Sequence, residues 1–132
     1  DIQYRAIRQK IDGIDDDQRD ITQEHTFRFF NPKAGINLNI AESQNIYGFW
    51  GVAQREPTRS NFVDADPGKP LPIPEKLIDY ELGYTVSTNM LKANVNIYYM
   101  DYFDQLVLTG EINDVGAPVM TNVARSYRQG VE

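Results

Sequence analysis

No cysteine occurs among the 132 residues, which excludes a disulfide scaffold, a zinc knuckle and a thiol nucleophile together. Histidine is nearly as scarce. His25 stands alone, without the second His, Cys or serine constellation that a metal site or general-base site requires, and it reads as a surface-loop residue. No apolar run approaches the roughly 18–20 residues of a transmembrane helix, and mean hydropathy is −0.51. Positive charge is in deficit: 13 basic against 19 acidic residues leave −6, which excludes a general nucleic-acid binder. No Gly-rich phosphate loop, nucleophile elbow or supported carboxylate dyad is present. Neither enzyme activity nor a cofactor nor a metal site is therefore expected. The chain opens on Asp1 rather than Met, shows no signal peptide, and stops at Arg128-Gln-Gly-Val-Glu132 inside an alternating segment. Both ends are expected to be cuts from a longer chain.

What the chain does have is alternation. Ala34, Ile36, Leu38 and Ile40 oppose Gly35, Asn37 and Asn39; Tyr80, Leu82, Tyr84 and Val86 oppose Glu81, Gly83, Thr85 and Ser87. Ala93, Val95, Ile97 and Tyr99 alternate with Asn94, Asn96 and Tyr98. Successive side chains on a strand point to opposite faces, so each run presents one apolar and one polar face. The aromatic-rich run Ile46–Arg55 is β-like with less distinct faces, and Ile2–Ile11 is compatible with strand or helix, with strand preferred. The pattern predicts six antiparallel strands near residues 2–10, 27–41, 46–55, 76–87, 92–108 and 121–132.

The connections alternate too. Glu42–Asn45 and Ser87–Met90 are short polar turns, whereas about 12–26, 56–74 and 109–120 are long. Pro57, Pro67, Pro70, Pro72 and Pro74 forbid a central strand in the second long connection. Outer-membrane barrels combine short turns at one end with long loops at the other, on strands that alternate apolar-out and polar-in. The fold class expected is thus all-β, a set of antiparallel up-and-down hairpins forming part of a transmembrane β-barrel.

The sequence offers few candidates for chemistry. Asp12–Asp20 (Asp-Gly-Ile-Asp-Asp-Asp-Gln-Arg-Asp) is rich in carboxylates, but its spacing departs from a calcium-binding loop and Arg19 competes, so a solvated loop is expected. Trp50, Tyr80, Tyr84, Tyr98, Tyr99 and Tyr102 suit interfacial girdles or wall packing, with some facing the lumen. Arg55, Glu56 and Arg59 open the Pro-bearing loop and are the candidate contacts to an anionic substrate, or pair with one another.

Several runs resemble the barrel of TonB-dependent outer-membrane receptors, particularly those of Bacteroidetes. They are Phe29-Phe-Asn-Pro-Lys-Ala-Gly35, Arg55-Glu-Pro-Thr-Arg59, Asp79-Tyr-Glu-Leu-Gly-Tyr84, Tyr98–Gly110 and Ser126–Glu132, in the family's usual order over roughly residues 27–132. The resemblance implies a barrel of about 22 strands in the Gram-negative outer membrane, plugged by an N-terminal domain. Siderophores, cobalamin or glycans would be imported through it on energy delivered by TonB acting on that plug. Residues 1–132 then read as a partial barrel region whose partners are the remaining strands, the plug and outer-membrane lipid, and the resemblance makes the plug a further candidate contact of Arg55, Glu56 and Arg59. A freestanding soluble barrel or sandwich that binds a carbohydrate or other small ligand is the alternative.

The two readings part on association. Open sheet edges and an apolar face, worth about 25 cal/mol per Å² buried, drive self-association. Sedimentation in detergent-free buffer is expected to show homo-oligomers; a monodisperse monomer with a cooperative thermal transition would favour the soluble module.

Overall fold

A computed structural model describes residues 1–14, 18–65, 68–112, 116 and 118–132. It contains six strands: β1 (Ile2–Ile11), β2 (Gln23–Ala41), β3 (Gln44–Arg55), β4 (Glu75–Ser87), β5 (Lys92–Ile112) and β6 (Pro118–Val131). They form one antiparallel sheet in the order β1-β2-β3-β4-β5-β6, each strand beside its sequence neighbours. The up-and-down topology expected from the alternation is present, and β1 is a strand rather than a helix. β2 begins earlier and β5 runs longer than the hydrophobic pattern implied. In both cases backbone pairing continues beyond the apolar run, as in Lys10↔Glu24.

The pairing register carries the period-two pattern across the whole sheet. One row reads Ile36–Gly48–Leu82–Ile97–Val131; the next residue along gives Gly35–Phe49–Glu81–Tyr98–Gly130. Adjacent rows therefore point to opposite faces, one apolar and one mixed polar and aromatic. β2 changes partners midway. Residues 23–32 pair with β1 and 33–41 with β3, with Pro32, which has no N–H to donate, at the changeover.

The sheet is open. β1 and β6 are its edge strands, and β2 beyond Lys33 is paired on one side only. What core there is sits at the long-connection end, where Ile11, Phe29, Phe62, Leu106 and Val119 are buried.

Three direct cross-strand pairs on the polar face set an aromatic ring against a glycine: Gly35↔Phe49, Tyr47↔Gly83 and Tyr98↔Gly130. A Cβ at Gly83 would overlap the Tyr47 ring, and one at Gly130 would lie 2.5 Å from the Tyr98 hydroxyl. The rings cover backbone that would otherwise stand bare, which pins the register of those strand pairs. Gly83→Val is expected to cost about 1–3 kcal/mol in urea unfolding, the usual penalty of overpacking. Adding Tyr47→Ala should return part of it; full stability in the single variant would show that the ring moves freely.

Candidate functional site

The two faces differ in chemistry. The first carries Ile36, Leu38, Ile40, Trp50, Leu82, Val95 and Ile97, all solvent-exposed in the isolated sheet, with Ile36 at 60% and Leu82 at 54%. A soluble module would bury these on itself; here nothing covers them. Along the same face Trp50↔Tyr80 and Tyr80↔Tyr99 pair directly, and Tyr99 stacks on Tyr127 with centroids 5.9 Å apart. This aromatic row divides the apolar rows from a polar zone nearer the long connections. There Arg125 donates twice to Asp101, at 3.0 and 2.9 Å, and Lys76 lies over the Phe103 ring at 5.7 Å. Such a row suits an apolar-to-polar boundary, because each ring joins an apolar body to a polar atom.

The opposite face presents Asn37, Asn39, Asn45, Tyr47, Asp79, Glu81, Asn96, Tyr98 and Tyr102. Asn45 donates to the side-chain oxygens of Asn37 and Asn39, and Thr85 donates to Asn94 at 3.0 Å. Of the aromatics singled out from sequence, Trp50, Tyr80, Tyr84 and Tyr99 thus occupy the apolar face, and Tyr98 and Tyr102 the polar one.

The long connection 56–74 folds back over the polar face. It holds a short helix, α1 (Arg59–Val63), that the Pro-rich composition concealed. Thr58 caps it: the Thr58 hydroxyl accepts from the Asn61 amide while the Asn61 side chain accepts from the Thr58 amide. The helix buries Phe62 against His25, with parallel rings 4.0 Å apart, and Phe27 and Phe29 continue the stack. His25 is therefore half-buried in β2 and not a surface-loop residue. Pairing with Gln9 extends the strand that far, and Gln23 Oε1 lies 2.8 Å from its Nε2.

The far end of the connection is held by Asn122. Its amide donates to the Ile73 carbonyl and accepts from the Ile73 amide, both at 2.9 Å, as a neighbouring strand would. The same amide donates at 2.6 Å to the carbonyl of Asp104, which adopts a left-handed backbone (φ 51°), a conformation Asp tolerates better than most residues. The connection so joins β2 to β6 across the strands between them. Nothing in the local sequence marks Asn122, because its partners are 18 and 49 residues away.

The three charged candidates are not paired with one another. Arg55 bonds Glu75 at 2.8 Å, and Glu75 also accepts from the Leu106 amide at 3.1 Å. Glu56 meets Arg5 at 2.5 Å, and Arg5 in turn lies 5.1 Å from the Phe29 ring centroid. Arg59 is exposed on the first turn of α1, with no ion pair to a described residue. In the acidic loop Asp12 pairs with Lys10 at 2.9 Å, while hydrogen bonds from Thr22 hold the Asp20 carboxyl below its ordinary value. Asp15, Asp16 and Asp17 lie outside the described residues. No cluster able to hold a metal ion occurs among the described residues.

The family model described as TonB dependent receptor-like, beta-barrel matches residues 4–132. No curated protein matches the chain.

If Asn122 and Phe62 hold the 56–74 connection, Asn122→Ala should free its Pro-rich end. Limited proteolysis is expected to cut between residues 64 and 74 at least several-fold faster, with the strands still protected. An unchanged cutting rate would mean that Asn122 is dispensable to the strap.

Proposed function

The chain belongs to the TonB-dependent receptor β-barrel family, and on that footing we propose that it forms part of the wall of an outer-membrane receptor for TonB-dependent uptake. Barrels of this family are characteristic of Gram-negative outer membranes and serve transport rather than catalysis. The observation that carries the reading for this chain is the segregation of faces. An exposed apolar face bounded by an aromatic row meets lipid, and the amide- and carboxylate-bearing face meets the lumen. The open edges β1 and β6 are completed by further strands of the same barrel. The amide and acidic rows of the lumen face meet a plug domain through which TonB acts. The short turns 42–43 and 88–91 then face the periplasm and the long connections the exterior.

The substrate is a siderophore, cobalamin or glycan-type nutrient of the kind such receptors import, and the parent receptor is of the Bacteroidetes type. Arg55 and Glu56 are engaged by Glu75 and Arg5. Arg59 is left as the cation most able to meet an anionic substrate at the outer mouth, with Arg55 and Glu56 placing the strap that carries it.

Insertion tests the face assignment. An Arg on the lipid face near mid-membrane costs about 2–4 kcal/mol, whereas one in the lumen costs little. Leu82→Arg is expected to abolish flotation of the folded chain with lipid vesicles, and Asn96→Arg to leave it intact. Equal behaviour of the two variants would overturn the proposal.

A further inference from the structure

The six strands do not stay joined to the long-connection end. The β2–β3 ladder runs from the short turn as far as Lys33↔Gly51, one pair beyond Ala34↔Trp50, and stops there. Past that point Gln23–Pro32 pair with β1 alone, and Val52–Arg55 with β4 alone. Strands β3 to β6 remain joined, as far as Arg55↔Glu75, Lys76↔Phe103 and Ile112↔Pro118. The sheet therefore forks. One branch is a two-stranded arm, β1 with the first half of β2; the other is a four-stranded body. A depression of about 440 Å³ opens in the crotch, bordered by Gln3 and Asn31 of the arm, Lys33 at the junction, and Gly51, Ala53 and Leu77 of the body.

What crosses the fork is side chain. Among the described residues no main-chain hydrogen bond links arm to body beyond Lys33↔Gly51. Gln54 Nε2 donates to the Phe30 carbonyl at 2.9 Å, and Arg5 Nη2 donates to the Gln54 carbonyl at 3.3 Å and to Glu56. The Phe62 ring of the strap lies 4.0 Å from the His25 ring of the arm. The Arg5 and Glu56 side chains are 39% and 27% exposed, so salt reaches and screens their pairing. Inside the arm, by contrast, every residue of β1 is paired with β2. That ladder holds together, whereas the few side-chain contacts across the fork separate at little cost.

We propose that the arm is a hinged lid: it swings as a unit about residues 32–33 and is held shut by the Arg5–Glu56 pair and by Phe62 seated on His25. Hinges take up their dihedral change in a few residues, and β2 passes from arm to body at that point. Opening parts the arm from the strap and uncovers the aromatic cleft of His25, Phe27, Phe29 and Phe62. The strap stays with the body, because Asn122 of β6 holds Ile73. That the lid stands at the outer mouth rests on the orientation proposed above; the hinge itself rests only on the fork.

The sequence has no cysteine, so introduced pairs carry spin labels at defined places. Distances would be measured by pulsed electron resonance in the full chain refolded into detergent micelles. Thr26→Cys with Val123→Cys spans the fork, Ile2→Cys with Thr26→Cys lies within the arm, and Val95→Cys with Val123→Cys lies within the body. Across the fork, Glu56→Gln is expected to raise the population at longer distance about threefold, and adding Phe62→Ala to raise it further. With Arg5 and Glu56 intact, raising NaCl from about 0.05 to about 1 M should produce a similar rise, and little more once Glu56→Gln is present. The two internal distances should hold throughout. A distance across the fork that neither the double variant nor salt alters would overturn the lid. So would broadening of the arm pair, which means melting, or of the body pair, which means a sheet loosened as a whole. Each of those results would leave the lipid-facing reading standing; that reading falls separately, if Leu82→Arg and Asn96→Arg behave alike in flotation.

Discussion

Everything in this molecule depends on the antiparallel register. Because neighbouring strands stay in direct opposition apart from shifts at Asn39/Ala41 and Leu108/Ile112, residues of one face line up across β2, β3, β4, β5 and β6. A slip of one residue would send Ile36, Leu38 and Ile40 to the polar face and Asn37 and Asn39 to the apolar one. The two environments of the sheet are thus made by one backbone constraint, and hydrogen bonding and side-chain chemistry agree on it.

Register of that strictness needs markers, and the aromatic–glycine pairs supply them. Tyr47 over Gly83 and Tyr98 over Gly130 fit only when those residues are opposite, because any other residue in the glycine's place meets the ring. Glu81 lies between Phe49 and Tyr98 in the same row, so carboxylates and rings share the polar face. The opposite face uses a different absence. Gly48 leaves a gap among bulky neighbours.

The described residues of the 56–74 strap show how a Pro-bearing loop is held by a few contacts. Its apolar anchor, Phe62, enters the stack with His25 and Phe27, and its polar anchor, Ile73, is bonded by Asn122 as if by another strand. Prolines lower the entropy lost when such a segment is fixed, so few contacts suffice to hold it. The left-handed Asp104 beside the Asn122 contact is a local departure from regular strand geometry that frees a carbonyl for the clamp.

Alternation in Ala34–Ile40, Tyr80–Ser87 and Ala93–Tyr99 determined the strands, and the unequal lengths of the connections determined the up-and-down order. Both are local signals, readable from one chain because an apolar and a polar face are properties of each strand by itself. Resemblance in the runs from Phe29 to Glu132 carried the family for the same reason. Tertiary structure alone decided the rest. The start of β2 at Gln23, and with it the place of His25, came from pairing with Gln9 rather than from any hydrophobic run. Arg55 and Glu56, adjacent in sequence, take different partners because Arg55 ends β3 directly opposite Glu75 of β4, whereas Glu56 lies beyond that strand and meets Arg5 of β1. Asn122 and Phe62 became anchors only once β6 and the strap were brought together. Contacts over such separations depend on the folded path of the chain, and no local pattern encodes that path.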